Sequence, residues 1–181
     1  MVSTTFSPVP PPTHASRFTV RALESSDFQS LQHLESDIWG DDPIGQLCPH
    51  YLRLCTEHFS DWGFIAFEGD RPVGYALNFP KGKVNYCATL AVHPDFRKSK
   101  VNYLLIRALV VKLLEEQMEE CRFLVQPDNW EARSIHNSLG AKVITEVSDY
   151  YRKGDTRLWS SITKDSLERI RARYTRLRLV S

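Results

Sequence analysis

The sequence predicts an α/β domain built on a single mixed, twisted β-sheet with helices on both faces. Three observations carry this expectation. Apolar residues alternate with period two in short runs and then switch to a 3.6-residue period, so strands and amphipathic helices interleave along the chain. Three strand-like runs joined by tight turns precede one strand–helix–strand passage. Such a crossover is right-handed and sets its two strands parallel. Length and composition point the same way: 181 residues with 42% hydrophobic, 25% charged and 11% aromatic belong to one folded domain and exclude a wholly disordered or collagen-like chain.

Residues 1–16 carry Pro8, Pro10, Pro11 and Pro12 among Ser and Thr. They hold too little apolar area to fold and are expected to form an extended tail. Order is expected to begin at residues 18–22 (FTVRA), which alternate as a strand does. Ser25 or Ser26 is the expected cap of a helix carrying Phe28, Leu31, Leu34 and Ile38, ended by Gly40, Asp41, Asp42 and Pro43. Pro49 introduces a second helix with Tyr51, Leu52, Leu54, Cys55 and Phe59. Residues 62–67 (WGFIAF) and 73–79 (VGYALNF) read as strands around a Glu68-Gly69-Asp70-Arg71 hairpin turn. A second turn at Lys81-Gly82-Lys83 leads to the fourth strand, residues 84–92 (VNYCATLAV).

The period then lengthens. Tyr103, Leu104, Ile106, Leu109, Val110, Leu113, Leu114 and Met118 predict a long amphipathic helix. Residues 121–125 (CRFLV) form the near-continuous apolar run of a buried strand in a parallel pair. Asn129 opens a helix with Ala132, Ile135 and Leu139, stopped by Gly140. Two more strands follow at 141–147 and 156–162, joined by a Tyr150-Tyr151 loop. The expected organisation is therefore a tail at 1–16, a domain at 17–162 and a basic amphipathic helix at 163–181, with Leu167, Ile170, Tyr174 and Leu177 on its docking face.

Net charge is +1, which argues against nucleic acid as a partner. The charge is uneven, because residues 164–181 hold six basic and two acidic side chains. No stretch of 18 apolar residues is present, so no membrane-spanning helix is expected, and residues 1–16 lack the pattern of a secretory signal. Cys48, Cys55, Cys87 and Cys121 form no CxxC pair and read as free thiols of a reducing cytoplasm. His50, Cys55 and His58 match no common metal spacing, and no metal site is expected.

Two segments carry a family resemblance. Leu90-Ala91-Val92-His93-Pro94-Asp95-Phe96-Arg97 resembles the strand-to-loop entry to the coenzyme A site of the GNAT acyltransferase superfamily. Asn129-Trp130-Glu131-Ala132-Arg133-Ser134-Ile135-His136-Asn137-Ser138-Leu139-Gly140-Ala141 resembles that family's second motif, and Asp149-Tyr150-Tyr151 with Gly154-Asp155 its last hairpin. The resemblance spans about residues 17–162 and implies a GNAT-like acyl-CoA N-acyltransferase fold, with acetyl-CoA or another acyl thioester as co-substrate. It implies that main-chain groups of Leu90, Ala91 and Val92 pair with pantetheine. It also implies that Arg97, Lys98, Ser99, Lys100, Val101, Asn102 and Tyr103 meet the pyrophosphate at a helix N-terminus, where unpaired N–H groups favour an anion, and that Asn129 serves the same ligand. Lys100 and Asn102 stand where the family carries Gly and a small residue, while Arg97, Lys98 and Lys100 add three cations.

Acylation of an amine requires loss of the amine proton and protonation of the departing thiolate. Residues 84–92 contain no carboxylate, so the strand-four Glu that many family members use as base is absent. His136 occupies the position of the family's Tyr proton donor, and an ordinary imidazole with a pKa near 6.5 suits that role. Tyr150 and Tyr151 lie in the loop the family places beside the acceptor. Glu35, Asp37, Asp41 and Asp42 lie in the first helix and its following loop, which the family places beside the acceptor channel; each is expected to belong to a solvated acidic face, with attraction of a cationic amine as the alternative. Cys87 reads as a buried structural thiol. The implied partners are a small-molecule or peptide amine acceptor, with an acyl carrier protein as alternative donor and a second copy of the chain as a further partner. The alternative class is a pantetheine-binding module without catalysis.

Overall fold

The computed structural model describes residues 17–42 and 44–176 and contains one seven-stranded sheet in the order β1-β2-β3-β4-β5-β7-β6. The strands are β1 (Phe18–Ala22), β2 (Gly63–Glu68), β3 (Arg71–Lys81), β4 (Val84–Val92), β5 (Glu120–Val125), β6 (Lys142–Val147) and β7 (Arg157–Thr163). The helices are α1 (Phe28–Trp39), α2 (Pro49–His58), α3 (Val101–Glu115), α4 (Trp130–Ser138) and α5 (Lys164–Arg176). Strands β1 to β4 pair antiparallel in sequence order, β4 pairs parallel with β5, and β7 inserts antiparallel between β5 and β6. The mixed sheet with helices on both faces agrees with the sequence expectation. The tail at 1–16, Pro43 and Leu177 lie outside the described residues.

Two apolar layers cover the sheet. On one face, Leu31, Leu34, Leu52 and Cys55 of α1 and α2 pack on Ile65, Tyr75 and Leu77. On the other, Val101, Leu105, Leu109 and Leu113 of α3 and Leu167 and Ile170 of α5 pack on Phe64, Ala76, Val92 and Phe123. Fully burying one such Leu stabilises the fold by about 1.5–3 kcal/mol. The start of α3 lies very close to the sheet at Gly74. A Cβ there would come within 3.0 Å of Val101 Cγ1 and the Ala91 carbonyl oxygen, so glycine lets the helix N-terminus approach the end of β4.

Local details differ from expectation in three places. The entry to α1 is organised by Asp27, not by Ser25 or Ser26. Its carboxylate accepts from both terminal nitrogens of Arg21 at 2.6 and 2.7 Å and from the Glu24 N–H at 2.8 Å. Met118 lies beyond α3, which ends at Glu115. The Met118 N–H donates to the Leu113 carbonyl and the Gln117 N–H to the Leu114 carbonyl, a Schellman stop whose left-handed residue is Gln117 (φ 53°) where glycine is usual. Because Met118 stays buried against the same core, its apolar spacing mimics another helical turn. Glu35 is the third case. It is 1% exposed and belongs to no solvated face.

Candidate active site

The site begins as an interruption in the sheet. β4 pairs with β3 along its length but with β5 only through Val84–Glu120 to Cys87–Phe123. At that point β4 bulges: Asn78 faces Cys87 and Leu77 faces Thr89, so Ala88 has no partner in the register. An extra residue bends the strand and shifts its alternation by one. Cys87, Leu90 and Val92 consequently share the α3 face, whereas Ala91 joins the α1–α2 face. Beyond the bulge β4 and β5 separate, and α3 and α4, which follow them, place their N-termini on either side of the gap.

A cavity of about 370 Å³ fills this gap. Cys87, Cys121 and Phe123 line it from the sheet, Ile106 and Leu109 from α3, and Ala132, Ile135 and His136 from α4. Arg97, Asn102, Asn129 and Glu131, around the starts of α3 and α4, and Ile38 and Trp39 of α1 complete the wall, so residues from both faces of the sheet line it. Its lining is mainly apolar, with Arg97, Asn102, Asn129 and Glu131 adding polar groups around the helix starts, a composition suited to a long thin ligand with a charged head.

Leu90, Ala91 and Val92 line this cavity on the β4 edge that β5 leaves unpaired. In the following loop, Arg97 and Asn102 reach the wall, while Lys98, Ser99, Lys100 and Tyr103 do not line it and Val101 is buried in the core. None of these loop residues has a positive φ, and Lys100 is right-handed at φ −77°, so Lys and Asn replace the family's small residues without backbone strain. Ser99 Oγ accepts from the Val101 N–H at 3.2 Å. The N–H groups of Asn102 and Tyr103 fall in the first turn of α3, where an α-helix offers no internal acceptor. Asn129 caps α4, its side-chain oxygen accepting from the Ala132 N–H at 3.0 Å.

His136 lines the cavity with its ring centroid 3.9 Å from that of Phe123. Its Nδ1 is buried and has no hydrogen-bond partner among the described residues. Burial pushes its pKa down to about 4, so the expected ordinary imidazole is corrected to one that is neutral at pH 7. The Cys87 thiol is likewise pushed up by burial and stays protonated.

Tyr150 and Tyr151 sit in the β6–β7 loop, exposed by 36% and 53%, outside the cavity wall. The loop is well tied. Asp155 accepts from the Arg157 guanidinium at 2.7–3.0 Å and Asp149 accepts from the Gly154 N–H at 2.6 Å. Tyr150 packs against Trp159, and Trp159 against Tyr86 of β4. The Tyr86 phenol is pushed above its ordinary range by burial first and by Tyr151 and Tyr150 next. Tyr151 also acts on Tyr51 of α2, so tyrosines from α2, β4 and this loop gather on the face opposite α3.

Sequence reasoning missed Ile38, Trp39, Ile106, Leu109 and Phe123 as wall residues, because an apolar residue beside a cavity has the same spacing as one in a core. Among the described residues, no group of three His, Cys, Asp or Glu side chains is arranged to hold a metal, and no helix is long and apolar enough to cross a membrane.

Comparison with known proteins agrees with this geometry. The fold is similar to that of the ribosomal-protein-S18-alanine N-acetyltransferase of Escherichia coli, with a TM-score of 0.71 and 16% identity over 81% of this chain and 93% of that one. It is also similar to Naa50 of Arabidopsis thaliana, solved with the bisubstrate analogue CoA-Ac-MVNAL, at TM-score 0.69 and 16% identity over 81% and 99% of the two chains. The diaminobutyrate acetyltransferase of Paenibacillus lautus, solved with its substrate and coenzyme A, gives TM-score 0.66 and 17% identity over 83% and 97%. No curated protein sequence matches the chain with significance. The sequence does match the model of the Acetyltransferase (GNAT) family over residues 28–141, a stretch that runs from α1 through the splayed β4–β5 pair to the end of the second motif. With the interrupted pair, the cavity between its strands and that match in agreement, the chain belongs to the GNAT acetyltransferase family.

Proposed function

We propose that this protein is an N-acyltransferase that moves an acyl group, acetyl in the simplest case, from coenzyme A or another pantetheine thioester to an amine by direct attack. The observation that carries this reading is the cavity in the β4–β5 gap: residues from both faces of the sheet line it, so a thioester and an amine can meet there from opposite sides. In this reading Leu90, Ala91 and Val92 offer main-chain groups to pantetheine. Arg97, Lys98, Ser99, Lys100, Val101, Asn102 and Tyr103 form the phosphate end with Asn129 across from them. The α3 N-terminus and three cations favour a diphosphate there.

The amine nitrogen attacks the thioester carbonyl carbon, the C–S bond breaks, the nitrogen gives up one proton and the sulfur takes one. Products are an amide and a free thiol. A Cys87 thiol that burial keeps protonated favours this single displacement over an acylated enzyme. His136, neutral and with its Nδ1 unpaired among the described residues, carries the proton between amine and sulfur, with Tyr150 and Tyr151 on the acceptor side. The free cysteines suit a reducing cytoplasm.

Titration calorimetry with acetyl-CoA and dephospho-CoA, paired with a thiol-release assay over primary amines and short peptides, tests the reading. Binding that favours the 3′-phosphate and amine-dependent thiol release are expected; no binding of either nucleotide overturns it. A second reading, a pantetheine-binding module without catalysis, is favoured by the missing β4 carboxylate, and it predicts binding with no thiol release from any acceptor. Equal affinity for both nucleotides, with transfer from an acylated carrier protein, would instead identify the carrier as donor.

A further inference from the structure

Behind the α1 wall of the cavity sits a carboxylate that the proposed reaction does not use. Glu35 is 1% exposed on the inner face of α1 and does not line the cavity. One of its oxygens accepts from the Leu47 N–H at 2.5 Å. The other accepts from the hydroxyl of Tyr75, itself fully buried on β3. The Tyr75 oxygen in turn accepts from the Trp39 indole N–H at 3.0 Å. Three donors, from α1, β3 and the segment before α2, thus converge on one carboxyl group, directly or through one hydroxyl.

Two of these connections reach the cavity. Trp39 is part of its wall. The chain between α1 and α2 lies against that indole at Gly45, where a Cβ would fall 2.3 Å from the ring. Leu47 ties the same segment back to Glu35 two residues later. The indole is therefore held at its nitrogen by Tyr75 and covered at its six-membered ring by the segment that Glu35 anchors.

Among the described residues, the groups facing the carboxylate are the Leu47 amide, Trp39 of α1, Tyr75 of β3, and Tyr51 and Cys55 of α2, none of them a cation. Burial raises Glu35 to about 7, with the Leu47 amide and the Trp39 indole opposing the rise. A carboxylate without a cation partner is costly to bury, so a purely structural position would be served as well by an apolar side chain.

We propose that Glu35 is a positioning residue: its carboxylate clasps the α1–α2 segment through Leu47 and, through Tyr75, fixes Trp39 as the wall against which the amine acceptor lies. The clasp stands on the hydrogen bonds alone, whereas the acceptor role rests on the acyltransferase reading. Two measurements on the full chain separate them. In ¹⁵N spectra the Leu47 amide and Trp39 indole resonances should move together with one midpoint near neutral pH, and Glu35→Gln should abolish that movement. Tyr75→Phe should release Trp39 while Leu47 still titrates.

With the best acceptor from a panel of primary amines and short peptides, Glu35→Gln should raise the acceptor KM about tenfold, with kcat changed less than about threefold and acetyl-CoA affinity by calorimetry unaltered, as expected for loss of ground-state positioning. Resonances indifferent to pH, or unaffected by Glu35→Gln, overturn the clasp. An unchanged acceptor KM, or an equal loss of acetyl-CoA affinity, overturns the acceptor role. If the chain acylates no amine, the acyltransferase reading fails while the spectra still decide whether the clasp exists.

Discussion

A buried carboxylate and a half-buried imidazole in this protein titrate in opposite senses, and their effects on stability should cancel in a pH window set by the structure. Glu35 is raised from 4.5 to about 7, so between those values the folded chain holds a proton that the unfolded chain has lost, and stability falls as pH rises. His136 is lowered from 6.5 to about 4, so between those values the unfolded chain holds the extra proton, and stability rises with pH. At pH 5.5 both groups differ between states by nearly a whole proton, which gives slopes of about −1.2 and +1.2 kcal/mol per pH unit. Measured against wild type, Glu35→Gln should therefore leave a net positive slope of about 1.2 kcal/mol per unit near pH 5.5, and His136→Phe a negative one of similar size. Urea denaturation at half-unit steps from pH 4.5 to 7 reads these differences directly, because every other titrating group is common to the pair being compared. Either variant running parallel to wild type across the window would show that its group titrates normally in the folded state, and the burial argument for that group would be wrong.

The remaining predictions concern the cavity and one helix end. Lys98→Ala with Lys100→Ala should weaken acetyl-CoA binding by about 1–3 kcal/mol, since charge rather than glycine geometry serves the phosphate end; unchanged calorimetric affinity would remove that loop from the site. His136→Phe should lower kcat about 10²-fold with thioester affinity little changed, while His136→Tyr keeps part of the activity; parental turnover in both makes His136 a bystander. Because His136 is neutral at pH 7, wild-type kcat should show no inflection near 6.5 that His136→Phe removes. Gln117→Gly should stabilise the protein by up to about 1 kcal/mol in thermal melts, since Gln117 sits at φ 53° where a side chain is disfavoured.

Much of the site was legible because the relevant residues are chain-local. Asn129 and Gly140 bracket one helix, and Arg97 follows one strand, so cap chemistry and motif spacing place them before any packing is known. Glu35 shows where such reading stops. Its neighbours along the helix, Leu34 and Ser36, and the acidic Asp37, Asp41 and Asp42 make it look like one member of a polar surface. Its actual partners, Leu47 and Tyr75, lie 12 and 40 positions away, and only sheet register and the α1–α2 path bring them together. His136 repeats the lesson in electrostatics: its position in the motif could be read, but its proton affinity depends on Phe123 and the surrounding burial.

By itself the sequence determined the order of elements, the single parallel crossover and the family's motif positions, because hydrophobic period, caps and turn residues act within a few residues of one another. It did not determine where β5 leaves β4. That follows from the Ala88 bulge in the β3–β4 ladder and from the parallel pairing of β4 with β5, segments over thirty residues apart. The cavity, the neutral imidazole on its wall and the carboxylate behind it are consequences of that separation and of burial. Desolvation and main-chain pairing are set by what surrounds a group in space, and no local pattern encodes them.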